Sequence, residues 1–575
     1  RIELPGMDDG EVADSIIEEL AMVKTLRGVV ECIVDHRDSV DPVPATPVFE
    51  EERLEPNLSS SKKGVGKVLR YVPRPVQLPK ARATRSLADA GVAVVADMSS
   101  PVAARLAELL KAEDAIAHLV GPTDPLPDHI RYLVDLTALS SGDGTQDEAI
   151  VRQFERLRAA ALAEVGDMLV VTGLGGSFAL PGGKNGSHPA PWELAFSALC
   201  TSAGAQGLVR TLALEFPGLR PRLVDVSAGA DPLAVSRQVM AELRCGDEAP
   251  LEVGYASRRR HTIELVASTL DLTSPSEHGD EPDASGSPDK RNDLHLGPHA
   301  VVLITGGARG IGARCAIGLA RRFHCVIEVV GRALLPSDEE PADLAGAVDP
   351  VAVRRAIIER GEYGRPSEIE SEVSRVLAAR EIRATLQELR LHAASVDYHT
   401  VDVRDVDALA ALVEGVRKVH GRLDGVVHAA GVVEDKRIAD KTTESFARVF
   451  DTKVRAAELL ADAPDFGGFA VFFGSVAGVF GNVGQVDYAA ANSVLDVLAR
   501  SRSGVNDPRR RQRRLLSVDW GPWSGVGMVT PELAREYGRR GVAMIDADAG
   551  VACLLAELGH GARDPQVVLM CGPAE

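Results

Sequence analysis

A chain of 575 residues with 45% hydrophobic content is long enough for more than one globular domain. Its 83 acidic residues outweigh 64 basic ones, and a net charge of −19 argues against general nucleic-acid binding. Seven scattered cysteines without a Cys-x-x-Cys pair, and the absence of clustered His and Cys, point to a reducing, cytoplasmic setting and no metal site. No apolar run reaches the roughly 20 residues of a membrane span.

Residues 1–35 carry a short amphipathic pattern, from Ile16, Ile17 and Leu20 to Leu26, Val29, Val30 and Ile33. Residues 36–65 are rich in Pro, Ser, Asp and Glu and read as a linker. The start lacks the form of a signal peptide and has no initiator Met, so the sequence reads as a piece of something longer. Residues 66–271 alternate strand-like and helix-like segments, with strands expected at 91–97, 115–120, 130–136, 168–172 and 222–226. Such alternation implies a parallel α/β sheet. Residues 272–298 form a second polar linker, and residues 299–575 alternate again. Strands are expected there at 299–305, 326–330, 397–402, 425–429, 469–473 and 515–519. The fold class is therefore α/β, as two tandem Rossmann-like, doubly wound parallel sheets.

The two halves look related. The stretch 170–183, V-V-T-G-L-G-G-S-F-A-L-P-G-G, parallels 471–484, V-F-F-G-S-V-A-G-V-F-G-N-V-G. Aligning Gly173 with Gly474 puts Leu174 where Ser475 stands, and no tyrosine lies between Tyr132 and Tyr255. The first half also lacks a glycine-rich turn after its first strand. It reads as a degenerate, structural copy of a catalytic second half.

The segment L-I-T-G-G-A-R-G-I-G, 303–312, follows a strand and opens a helix. Thr305, Gly306, Gly307, Arg309, Gly310, Ile311 and Gly312 are the candidate phosphate cradle. Glycine permits the tight turn and close backbone approach, and the helix N-terminus offers free N–H groups. The second strand ends at Arg332, where an NAD site carries an acidic residue. Arg332 and Arg309 instead suit a 2′-phosphate, which favours NADPH. Asp402 and Val403 close the third strand beside the adenine. Ala429, Ala430 and Gly431 follow the fourth and would face the nicotinamide ribose. Pro522, after the sixth, would lie over the nicotinamide.

Ser475 and Tyr488 then form the acid side of a carbonyl-reduction site. A phenol titrates near ~10 when unperturbed, and a cation beside it, Lys453, is expected to lower it. Ser475 would hold the carbonyl oxygen. Asn492 lies one helical turn beyond Tyr488, on the same face.

These motifs resemble the short-chain dehydrogenase/reductase superfamily, and more closely the ketoreductase domains of type I polyketide synthases and polyunsaturated fatty acid synthases. The superfamily order is Tyr-x-x-x-Lys. Here Asn492 holds the lysine position and the lysine is Lys453, an exchange that marks the synthase ketoreductases. The resemblance implies a structural half followed by a catalytic half. It implies Tyr488 as proton donor, Ser475 as its partner on the carbonyl oxygen, Lys453 as the cation and Asn492 as support for a proton relay. It implies a 3-oxoacyl thioester on an acyl carrier protein as substrate, other domains of the same synthase as partners, and residues 1–35 as the end of a carrier protein without its prosthetic arm. Val432-Val433-Glu434-Asp435 stands where one stereochemical class carries Leu-Asp-Asp, so Asp435, with Gln485, is expected to control a B-type, D-hydroxy outcome. An insert between Arg332 and Asp402 reads as helices, with Ile369, Val373, Val376 and Leu377 on one face. The competing readings are a non-catalytic synthase module and a stand-alone reductase of small ketones.

Overall fold

The computed structural model describes residues 66–573 apart from 140–145, 181–194, 228, 247–248, 257–258, 271–295, 336–339, 466, 504–512 and 560–563. The carrier-like stretch 1–35, the linker 36–65 and nearly all of the linker 272–298 lie outside the described residues.

The first half contains β1 (Val68–Leu78), β2 (Gly91–Val95), α1 (Pro101–Ala112), β3 (Ile116–Val120), β4 (Tyr132–Asp135), α2 (Gln146–Leu162), β5 (Asp167–Thr172), α3 (Phe196–Glu215), β6 (Arg220–Asp225), α4 (Pro232–Leu243), β7 (Glu252–Ala256) and β8 (Arg259–Ala267). The second half begins with β9 (Val301–Thr305), α5 (Gly310–Phe323), β10 (Val326–Gly331), α6 (Ala342–Ala345), α7 (Pro350–Arg360), α8 (Pro366–His392) and β11 (Val396–Thr400). It continues through α9 (Val406–His420), β12 (Gly425–His428), α10 (Thr443–Val454), α11 (Ala457–Asp462), β13 (Phe469–Ser475), α12 (Val476–Phe480) and α13 (Val486–Ser503). It closes with β14 (Arg514–Trp520), α14 (Pro531–Arg539), α15 (Ala547–Gly559) and β15 (Gln566–Cys571).

Runs such as Val-Val-Leu-Ile-Thr in β9 are buried at every position, as strands covered by helices on both faces must be. The second half has the strand order β11-β10-β9-β12-β13-β14-β15, the doubly wound arrangement, with its switch point between β9 and β12. The first half has the order β3-β2-β4-β5-β6-β7, one parallel strand fewer. The two expected sheets meet edge to edge and become one sheet of 15 strands. The join is β1, antiparallel to β15 over Val68–Tyr71 and to β8 over Tyr71–Leu78. Pro73 and Pro75 lie beyond the part paired with β15, where β1 is open on that side and a missing N–H is tolerated. This joining strand escaped the sequence reading because its prolines argue against a strand.

The halves also meet through helices. α3 lies against α13, and Gly207 permits the approach: a Cβ there would sit 2.3 Å from the Ala489 carbonyl carbon. Phe154 of α2 stacks on Phe446 of α10 with ring centroids 4.6 Å apart.

The insert divides in two. Ile382, Leu386 and Leu389 of α8 join the core beneath α5, so the C-terminal part of α8 is the ordinary crossover helix between β10 and β11. Its N-terminal part, with Val373 and Val376, forms a small separate core with Leu344, Val353 and Ile357. The capping carboxylate of α8 is Glu368, which accepts from the Arg365 N–H at 3.1 Å, so Arg365 is the N-cap of the helix.

Candidate active site

β13, α10 and α13 bring the four expected catalytic residues together. Ser475 ends β13 and caps α12, its Oγ accepting from the Ala477 N–H at 3.2 Å. Tyr488 and Asn492 share a face of α13, and the Asn492 amide donates to the Tyr488 carbonyl at 2.7 Å. Lys453, in the last turn of α10, is buried. Its ammonium donates to the Phe473 carbonyl at 2.6 Å and stands 5.2 Å from the centroid of the Tyr488 ring. Asn492 Oδ1 is buried without a hydrogen-bond partner.

The electrostatics differ from expectation. Burial pushes the Tyr488 phenol up to about 12; hydrogen bonds from Asn492 and Ser475 pull the other way, and the charges of Asp519 and Asp435 add to the rise. The phenol thus moves up rather than down as expected, because desolvation of a phenolate outweighs the hydrogen bonds from Asn492 and Ser475. Burial also brings Lys453 down to about 8, against the pull of Asp519 and Asp496. At neutral pH the site therefore holds a protonated phenol beside a charged lysine. A neutral phenol is a hydrogen-bond and proton donor, which is the form needed to meet negative charge developing on an oxygen.

Two supports have no signal in the sequence. His428, legible only as part of the small-residue stretch H-A-A-G, is buried: its Nδ1 lies 2.7 Å from Thr305 Oγ1 and its Nε2 2.9 Å from the Lys453 carbonyl. Burial pushes the imidazole down to about 4, so it is neutral; Nε2 donates to Lys453 and Nδ1 accepts from Thr305. It ties the end of β9 to the helix turn that carries Lys453. Lys441 donates to Asp487 Oδ2 at 2.6 Å, both side chains being buried, and Asp487 Oδ1 accepts from the Tyr488 N–H at 2.8 Å. Removing one member of such a pair costs about 3–5 kcal/mol. Neither pairing has a local spacing that a sequence could reveal.

The glycine cradle fits a dinucleotide. Gly306 has φ +69°, and a Cβ there would lie 2.8 Å from the Ala430 nitrogen; at Gly312 it would lie 2.4 Å from the Gly306 oxygen. These close approaches put the turn 306–312 against Ala429 and Ala430 at the switch point, with Gly431 against Lys453: a Cβ on Gly431 would lie 3.1 Å from Lys453 Cε. Gly307 packs closely on Ile304, and Ile311 meets Gly527, so the segment after Pro522 folds over the cradle. Pro522 itself is half-buried, its carbonyl accepting from the Ile545 N–H at 2.7 Å.

The arginines are arranged less simply. Arg332 is exposed just past β10. Arg309 Nε donates to Glu381 Oε2 at 2.9 Å, and Glu381 Oε1 accepts from the Gly310 N–H at 2.8 Å. A carboxylate from α8 thus sits on the first turn of α5. β11 ends at Thr400, so Asp402 and Val403 lie in the following turn rather than in the strand. Asp402 is held by Arg404, at 2.6 Å from Nη2, and that guanidinium keeps its carboxyl below the usual range. Val403 is buried in the core.

Asp435 and Gln485 are brought together at the surface, Gln485 Nε2 donating to Asp435 Oδ1 at 2.9 Å. Glu434 turns away from them: it is clamped by Arg448 at 2.7 Å and accepts from Ser445 at 2.7 Å, which hold its carboxyl down at about 2. Among the described residues no group of His, Cys, Asp and Glu could hold a metal, and no helix is long and apolar enough to cross a membrane.

Residues 300–525 match the family model described as "KR domain". The chain is 32% identical over 381 residues to one of the polyunsaturated fatty acid synthase polypeptides of Thraustochytrium sp., covering 63% of this chain and 12% of that protein. It is 30% identical over 375 residues to polyketide synthase PksN of Bacillus subtilis, covering 64% of this chain and 6% of PksN. The chain thus spans only a small part of the length of these relatives. Among solved structures, it is similar in fold to a ketoreductase domain from the bacillaene assembly line, with a TM-score of 0.60 at 21% identity, covering 88% of this chain and 98% of that one.

Proposed function

Taking residues 300–525 as a ketoreductase domain of the polyketide-synthase type, within the short-chain dehydrogenase/reductase superfamily, we propose that the chain reduces a 3-oxoacyl thioester to the 3-hydroxyacyl thioester with NADPH. The substrate arrives on an acyl carrier protein, and the chain works beside other domains of one synthase. The observation that carries this reading is the convergence of Ser475, Tyr488, Lys453 and Asn492 next to the glycine cradle.

Gly306, Gly310 and Gly312, with the N–H groups of the first turn of α5, would hold the pyrophosphate of the dinucleotide; Arg332 and Arg309 would meet its 2′-phosphate. When bound, the nicotinamide supplies the hydride that reaches the β-carbon. The chain's own residues manage the oxygen. Ser475 and the Tyr488 phenol donate hydrogen bonds to the carbonyl oxygen, and Tyr488, neutral at physiological pH, gives up its proton as the oxygen becomes an alkoxide. Lys453 holds positive charge beside the phenolate that results. Asn492 braces the first turn of α13 and offers Oδ1 as an acceptor in the path by which the phenol regains its proton.

The first half is a structural partner on this reading. Leu174, in the place of Ser475, is buried, and its N–H donates to Asp225 Oδ1 at 2.6 Å. Asp435 and Gln485 control the face of attack and direct a B-type, D-hydroxy product.

The test is NADPH oxidation with a carrier-bound 3-oxoacyl thioester, followed by chiral analysis. Wild type should turn over and give the D-hydroxy product, while Tyr488→Phe should lose about 10²–10⁴-fold in kcat. An active Tyr488→Phe variant sinks the mechanism; preference for NADH sinks the cofactor assignment.

A further inference from the structure

Asp435 and Gln485 lie on separate loops, one after β12 and one before α13. Their mutual hydrogen bond requires the loops to keep a fixed spacing. One backbone bond, Lys436 N–H to the Gly484 carbonyl at 2.9 Å, joins them directly. A second tie comes from the other half of the molecule. Glu215, the last residue of α3, accepts from the Ile438 N–H through Oε2 at 2.7 Å and from the Gly484 N–H through Oε1 at 2.7 Å. One carboxylate therefore grips both loops, each by a short charge-assisted bond to a backbone donor. A carboxylate at a helix C-terminus is opposed by the helix dipole, so helix formation does not account for an acid there; the two loop amides do.

α2 adds a parallel tether. The Arg158 guanidinium donates to the Lys441 carbonyl, and the Lys441 ammonium donates to the Glu434 carbonyl and to Asp487. The loop after β12 is thus held at Glu434, Ile438 and Lys441, with two of these ties reaching it from the first half.

We infer that Glu215 is a positioning residue: through it the first half sets the Asp435–Gln485 rim, and with the rim the stereochemical outcome at the carbonyl. This rests on the proposed reading of Asp435 and Gln485 as the residues that face the substrate. The half without catalytic residues then acts on specificity as well as on stability.

Two variants test it in the full chain. Glu215→Gln has a single acceptor oxygen and cannot serve both amides; Glu215→Asp keeps the charge but is one methylene shorter. Hydrogen–deuterium exchange should quicken about tenfold at both the Ile438 and Gly484 amides in Glu215→Asp, and in Glu215→Gln at the one amide left without the acceptor oxygen, as expected for loss of one net hydrogen bond. The amides of 306–312 and the affinity for NADPH should stay at wild-type values. The ratio of the two product configurations from a short 3-oxoacyl thioester should fall about three- to tenfold. Unchanged exchange at the two amides, a uniform rise throughout α3, or loosened loops with a wild-type product ratio would each overturn the inference. If wild type binds NADPH yet reduces no 3-oxoacyl thioester, it is the proposed function that fails, and the exchange result alone then decides whether Glu215 holds the two loops.

Discussion

Gly207→Ala sets two effects of opposite sign against each other. Alanine is a better helix former than glycine by about 0.8–1.0 kcal/mol, so α3 alone would gain. The packing opposes it. A Cβ at Gly207 would lie 2.3 Å from the Ala489 carbonyl carbon and 2.4 Å from both the Ala489 oxygen and the Ala490 nitrogen. Carbon contacts are favourable at about 3.5–4.0 Å, so α3 and α13 must part by roughly 1 Å. The clashing atoms are backbone, and no rotamer change relieves them. Overpacking of this kind costs about 1–3 kcal/mol, which exceeds the propensity gain. The displaced residue is next to Tyr488, and a shift near 1 Å at a reacting group costs about 10²-fold in rate. Thermal unfolding and steady-state kinetics should therefore show a lower melting temperature and a kcat down by one to two orders of magnitude, with dinucleotide affinity kept. Gly218→Ala is the control, since nothing lies within 4 Å of a Cβ there. A Gly207→Ala variant that melts at or above wild type with unchanged kcat would refute the claim that this contact positions the catalytic helix.

Glu381→Gln removes the charge that competes for Arg309, and should tighten binding of adenosine 2′,5′-bisphosphate by up to about fivefold with little effect on 5′-AMP, measured by calorimetry. Lys453→Met tests linkage. The unfolded lysine holds its proton to about 10.5 and the folded one only to about 8, so wild-type stability from this group rises as pH climbs through that window, by about 3 kcal/mol in all. The variant should be inactive, and its stability relative to wild type should decline between pH 8 and 10.5 in denaturant titrations; a constant difference contradicts the burial argument. Glu328 is buried, which raises its carboxyl, but hydrogen bonds from His399 and His420 at 2.5 and 2.7 Å outweigh this and bring it below 4.5. That stabilisation is present above pH 4.5 and lost as the pH falls through the lower folded value. Glu328→Gln should therefore be less stable than wild type at pH 7 and converge with it in acid, read from melting temperatures.

The parts legible in the sequence were those written locally. The glycine spacing of 306–312, the continuous apolar runs of β9 and β13, and the one-turn separation of Tyr488 and Asn492 each follow from backbone sterics or helical period over a few residues. The absence of a hydroxyl at Leu174, in the place of Ser475, is legible in the same way. The apolar stripe of the insert was readable as well, although the division of α8 between two cores was not.

What only the tertiary structure decided depends on contacts between distant residues and on burial. The sign of the Tyr488 shift turned on desolvation, which no spacing encodes. The joining role of β1 needed the edges of β15 and β8, and its prolines hid it. His428, Lys441 with Asp487, and Glu381 gain their meaning from partners far along the chain. Glu215 is the clearest case: in the sequence it is an acid at the end of a helix, and folding makes it the shared acceptor of two loop amides in the other half of the molecule. The sequence by itself determined which side chains could do the chemistry, since that depends on residue type and short-range geometry. The fold determined how they are charged and what holds them, since those depend on solvent exclusion and on neighbours brought from far along the chain.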